Sequence, residues 1–233
     1  MDPTTNLLLT ALAAAGSQVL QHTVQFHTNL TQNRTAVLQN RYSICFPTNR
    51  TVYNVVVEQI NGTFMDLSAF RGKLLLVVNV ATYSEHTNQY VDFNTLLQEY
   101  GGHRLKILAF PCNQFYYAEP GNNNEIIDGI THVRPGKNFT LHPDIHVFSK
   151  IDVNGNEQHA LYNFLEAQCP QTIKQLTRRA DLTYDPVKIT DVTDNFEKFL
   201  LDKHGRPRYR FHATSWLNGT VIRKYIDKLL VEP

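Results

Sequence analysis

The chain has 233 residues, of which 42% are hydrophobic and 18% charged, and its formal net charge is +1. That balance suits a globular core and excludes the basic field that draws a protein to nucleic acid or to acidic partners. No apolar run reaches the length that crosses a membrane.

Residues 1–41 form a polar N-terminal arm in this reading, and residues 42–233 form the folded domain. The run from Leu7 to Ala15 reads equally well as the apolar core of a signal peptide or as a short helix, since Asp2 stands where a positive charge is expected. Asn-X-Thr sequons decide for secretion. They occur at Asn29, Asn33, Asn49, Asn61, Asn138 and Asn218, where composition alone gives about two or three. A secreted glycoprotein is therefore expected.

Val52–Gln59 and Thr63–Leu67 flank Asn61-Gly62, which predicts a hairpin. Leu74–Ala81 and Leu105–Phe110 are apolar runs of strand length. Between them Tyr90, Phe93, Leu96, Leu97 and Tyr100 recur at helical spacing, so the stretch predicts a βαβ unit with two parallel strands. Polar segments follow both strands: Thr82-Tyr83-Ser84-Glu85-His86-Thr87 after the first, Cys112-Asn113-Gln114 after the second. The carboxyl edge of a parallel sheet is where functional groups collect.

Glu125–Val133 predicts a short helix with Asn124 as its cap, and Val147–Val153 a strand turned by Asn154-Gly155. His142 and His146 stand four apart, but Pro143 intervenes and no third ligand is near, so no metal is expected. Gln158–Gln168 predicts a helix ended by Cys169-Pro170. The basic pair Arg178-Arg179 reads as a solvated face. Asn195–Asp202 and Arg208–His212 predict an antiparallel hairpin, and Asn218–Val231 an amphipathic closing helix. Three cysteines, Cys45, Cys112 and Cys169, leave at least one thiol free or paired between chains.

The text "NVATYSEHTNQY", then "ILAFPCNQF", "EPGNNNEI", "VRPG", "DVNG" and "NFEKFL", resembles the glutathione peroxidase family, from about Tyr42 to the C-terminus. The stretch from Cys169 to Lys198 is most similar to the secreted, plasma-type branch. The element order, hairpin, βαβ, helix, hairpin, helix, agrees with what the resemblance implies: an α/β thioredoxin-like fold, a central mixed sheet flanked by helices with an N-terminal hairpin. The branch also has cysteines in the regions of Cys45 and Cys169, which implies a disulfide between them. It forms tetramers, which implies a homo-oligomer here.

The family's peroxide nucleophile is a selenocysteine or cysteine, at the position of Ser84. Its partners are a Gln, a Trp and an Asn, at the positions of Ala118, Asp194 and Asn195. Glu85 stands where the family usually has Gly. A serine hydroxyl does not ionise usefully near neutral pH and has no sulfenic state to carry a redox cycle. Four departures at one site imply that peroxidase catalysis is lost and that the protein acts by binding a partner or as a structural component, with no cofactor. Glutathione would be a co-substrate only of an active enzyme, and Arg208 and Arg210 stand in for the family's glutathione-contacting arginines. Two rival chemistries remain: a glutathione-dependent peroxidase of altered mechanism working through Cys112, and hydrolysis by Ser84 with His86.

Overall fold

The computed structural model describes residues 41–173 and 182–232. The N-terminal arm with Asn29 and Asn33, and the pair Arg178-Arg179, lie outside the described residues.

The central sheet has six strands: β1 (Tyr42–Ile44), β4 (Leu74–Val80), β5 (Leu105–Pro111), β6 (Ile145–Val147), β7 (Lys198–Leu201) and β8 (Pro207–Phe211). Their order is β1-β8-β7-β4-β5-β6. β4 pairs in parallel with β5, and β5 with β6, while β7 runs antiparallel to β4 and to β8. β2 (Val56–Glu58) and β3 (Phe64–Asp66) make the separate N-terminal hairpin. Its loop holds Gly62 at φ 84°, a left-handed conformation that glycine adopts without steric cost.

β4 is continuously apolar because both faces of the sheet are covered. Leu74, Leu76, Val78 and Val80 face a core built with α1 (Gln89–Tyr100) and α4 (Thr220–Val231). Leu75 and Val77 face the opposite core, built with α3 (Ala160–Gln168). Alternate residues of one strand thus join two helix layers to one sheet. This is the thioredoxin-like arrangement expected from the sequence.

Two local expectations need correction, and one element is new. The strand expected over Val147–Val153 ends at Val147. Beyond it the chain touches both neighbours, with Ser149 N donating to Glu58 O of the hairpin at 2.8 Å and Ile151 N to Pro111 O of β5 at 3.0 Å. The helix after the Asn-rich loop, α2 (Asn123–Asp128), is capped by Asn122 and not Asn124, and the Glu125 carboxylate accepts from Asn122 N at 2.7 Å. The edge strand β1 was not foreseen. It pairs with β8, Tyr42 opposite Phe211.

Cys45 and Cys169 form a disulfide across 124 residues of sequence, tying the end of β1 to the end of α3. Cross-linking so long a loop removes chain entropy from the unfolded state and contributes about 3 kcal/mol. A Cys45→Ala/Cys169→Ala variant is expected to melt about 9 °C below the native protein. A drop under about 3 °C in a calorimetric scan would contradict that account.

Candidate active site

β4 ends at Val80, and the chain then winds through a tight turn into α1. Thr87 Oγ1 fixes the turn, its single hydroxyl hydrogen shared among Ala81 O, Thr82 O and Ser84 O, which lie 2.9, 3.0 and 2.7 Å away. Glu119, 2% exposed, fastens its other side, accepting from Thr82 N and Thr82 Oγ1 at 2.7 and 2.8 Å. Burial pushes the Glu119 carboxyl above the usual range, against those two hydrogen bonds. Arg134 donates from its guanidinium to the carbonyls of Tyr83 and Ser84 at 3.2 and 3.3 Å. Ser84 is thereby held at the carboxyl edge of the sheet, only 6% exposed.

A cleft of about 480 Å³ opens there, lined by Tyr83, Ser84, Glu85, His86, Tyr116, Ala118, Asp194 and Asn195. The four positions singled out in the sequence, Ser84, Ala118, Asp194 and Asn195, therefore share one cavity. They come from three segments: the turn after β4, the loop after β5 and the residues before β7. Tyr83 N donates to Ala118 O at 2.9 Å and joins the first two. Asn79 Nδ2 donates to Asp194 O at 2.9 Å and joins β4 to the third. Tyr116 and Tyr117 hold left-handed backbone, φ 56° and 51°, which costs non-glycine residues on the order of 1 kcal/mol each.

The described lining of this cleft holds a serine hydroxyl and no cysteine. Ser84 Oγ accepts from His86 N at 3.1 Å. The His86 imidazole is engaged elsewhere, its Nε2 standing 3.5 Å from Asp194 Oδ2. No hydrogen bond joins the Ser84 hydroxyl to the imidazole, so the Ser-His hydrolase reading has no base to draw on. The contact between residues 86 and 194 was not foreseen. Only the fold brings those positions together.

Cys112 lies apart from the cleft. It is 0% exposed among Phe110, Leu161 and Tyr162 in the core on the α3 side, and it does not line the cleft. Burial pushes its thiol up to about 12, so the thiolate needed for attack on peroxide is absent near neutral pH.

The two arginines read as glutathione contacts are also displaced. β8 starts opposite the end of β7, and that end pairs with Leu75 near the start of β4. Arg208 thus lies at the far end of the sheet from Ser84, where it pairs with Glu232 and Asp202. Arg210 is 0% exposed and pairs with Glu197 inside the core. Neither lines the cleft. The two histidines four apart are occupied in local structure. His142 Nδ1 accepts from Asp144 N at 3.1 Å, and the His146 ring packs edge-on against Phe70 at 4.9 Å.

Beneath the cleft lies Lys198, fully buried on β7. Its ammonium donates to Phe196 O at 2.7 Å and stands 4.6 Å over the Trp216 ring. Burial pulls its pKa down to about 7, against the opposing pull of Glu197, Asp92 and Asp194. The unfolded chain keeps that proton up to a pH near 10.4. Between about 7 and 10 the unfolded state therefore binds more protons, and stability rises with pH. Compared with Lys198→Met, the native protein is expected to gain about 5 °C in melting temperature from pH 6 to pH 9. A gap between the two that does not change with pH would contradict this.

The chain matches the glutathione peroxidase family model over residues 52–166. It is 47% identical over 193 residues to glutathione peroxidase 3 of Caenorhabditis elegans, covering 83% of this chain and 86% of that protein. It is 49% identical over 185 residues to the cuticular glutathione peroxidase of Brugia malayi, covering 79% of this chain and 83% of that protein. Among solved structures, T. cruzi GPX1 superposes with a TM-score of 0.54 at 31% identity, covering 78% of this chain and 97% of that chain.

Proposed function

The chain belongs to the glutathione peroxidase family, and we propose that it is a secreted, glycosylated member that has lost peroxidase catalysis and acts by binding. The observation that carries this reading is the cleft itself. The resemblance puts Ser84 at the nucleophile's position and Ala118 and Asp194 at those of the assisting Gln and Trp, and all three line it. Among the described residues no sulfur lines the cleft, and burial pushes the thiol of Cys112 up to about 12.

Secretion draws its support from three sides. The sequons at Asn49, Asn61, Asn138 and Asn218 are exposed, and Asn61 Oδ1 accepts from Thr63 N and Oγ1, leaving its amide nitrogen to solvent. The Cys45–Cys169 disulfide suits an oxidising compartment. One similar protein is named for the cuticle. A homo-oligomer is part of the proposal. Ile44 on the edge strand β1 and Phe46 just after it are 65% and 59% exposed, which leaves apolar surface for a second copy.

Family membership is equally compatible with a glutathione-dependent peroxidase that reduces hydrogen peroxide or organic hydroperoxides. The two readings separate in one assay, peroxide consumption by the native protein with glutathione or thioredoxin as donor. The expected result is no turnover above buffer. Turnover that a thiol-blocking reagent abolishes would overturn the proposal and return the chemistry to Cys112.

A further inference from the structure

The cleft around Ser84 is poorly matched to an anionic thiol peptide. Among the described residues it is lined by two carboxylates, Glu85 and Asp194, and by no lysine or arginine. Arg134 does not line it and spends its guanidinium on the carbonyls of Tyr83 and Ser84. Two aromatic rings line the same cavity, Tyr83 and Tyr116, at 51% and 63% exposure. Aromatic faces attract cations, and carboxylates beside them add to that attraction.

An independent observation comes from Asn195. It lines the cleft yet is only 1% exposed. Its Nδ2 donates to Phe115 O at 3.4 Å, while its Oδ1 is buried and accepts no hydrogen bond. An unpaired buried acceptor costs about 1–3 kcal/mol. A ligand that brings a donor to this point recovers that loss. Asp194 keeps spare acceptor capacity as well. Its Oδ1 takes one bond from Asn195 N at 2.7 Å and its Oδ2 faces His86, while each carboxylate oxygen can accept two.

Several acceptors, two carboxylates and two tyrosine faces call for a planar cation rich in donors. A guanidinium meets all three requirements. It carries five N–H groups in one plane, it is always charged, and it stacks on aromatic rings. We propose that the Ser84 cleft is a binding site for a guanidinium group, borne by a small molecule or by an arginine side chain of a partner protein. The proposal rests on the reading of this cleft as a binding site without peroxidase chemistry.

The test titrates the full-length protein with methylguanidine and with an acetylated Gly-Arg-Gly amide, followed by calorimetry and by the tyrosine ring signals in NMR spectra. Both probes are expected to saturate and to shift the Tyr83 and Tyr116 signals. Asp194→Asn is expected to weaken both about tenfold, and Glu85→Gln about threefold. Asp194→Asn keeps the oxygen that accepts from Asn195 N, and Glu85 is exposed, so both variants should fold. Glutathione is expected not to compete. A peptide at least about tenfold tighter than methylguanidine assigns the site to a protein-borne arginine, and equal affinities assign it to a small molecule. Absence of saturation by either probe, or affinities unchanged in both variants, overturns the site. Peroxide turnover measured on the same sample overturns instead the non-catalytic reading on which the site rests.

Discussion

Ser84→Cys alone is expected to leave peroxide reduction within about tenfold of background, and Ser84→Cys combined with Ala118→Gln and Asp194→Trp to exceed it by about a hundredfold. The single variant supplies a sulfur but not the means to ionise it. The new thiol would sit in a cavity lined by Asp194 and Glu85, and neighbouring carboxylates disfavour a thiolate. It would also be nearly as enclosed as Ser84, which is 6% exposed, and burial disfavours the charged form again. Replacing Asp194 with tryptophan removes one carboxylate and its pairing with His86. Replacing Ala118 with glutamine places an amide donor in the same cavity. The measurement is the initial rate of peroxide loss with glutathione present, for the native protein and both variants. A single variant as fast as the triple one would show that the scaffold still holds a working peroxide site and that Ser84 alone silences it. A triple variant as slow as the single one would place the loss in the backbone of the cleft, where Tyr116 and Tyr117 hold left-handed conformations.

The sequence made the centre of this molecule legible and its edges less so. β4 and β5 announce themselves through runs of Leu, Val and Ile that only a sheet covered on both faces buries completely. The gathering of Ser84, Ala118, Asp194 and Asn195 followed from the order of the family's motifs, and all four line one cavity. Other features depend on contacts that no local pattern carries. β1 has three residues, too few for an alternation to show, and it exists because β8 presents an open edge. The expected strand over Val147–Val153 was over-read because Phe148, Ile151 and Val153 are apolar for another reason: they pack against the hairpin and α3. The His86–Asp194 pair joins positions more than a hundred residues apart, and neither residue type announces the other. Glu119 reads as ordinary loop text, yet it clamps the Ser84 turn through Thr82.

Arg210 is the sharpest case, because the sequence reading gave it a substrate and the structure gives it a place in the core. Its Nε pairs with Glu197, Nη1 donates to Cys169 O and Thr190 O at 3.2 and 2.8 Å, and Nη2 donates to Asp191 O at 2.8 Å. The guanidinium also lies 5.1 Å from the Phe199 ring centre. One side chain thus ties β8 to the end of α3 and to the segment leading into β7. Both members of the ion pair have fully buried side chains. Removing one partner of such a pair leaves an uncompensated charge and costs about 3–5 kcal/mol. Here Glu197 would keep only the donors from Thr193, N at 2.9 Å and Oγ1 at 3.1 Å, and three carbonyls would lose a donor as well. Arg210→Met is therefore expected to lower the melting temperature by about 15 °C. Arg210→Lys should recover little, since an ammonium cannot reproduce the planar fork. Arg210→Met with Glu197→Gln should recover part of the loss by removing the stranded charge. A ligand-binding arginine behaves in the opposite way: its loss leaves the fold intact and weakens a ligand. An Arg210→Met protein that melts within about 3 °C of the native one would restore the substrate reading and remove the structural one.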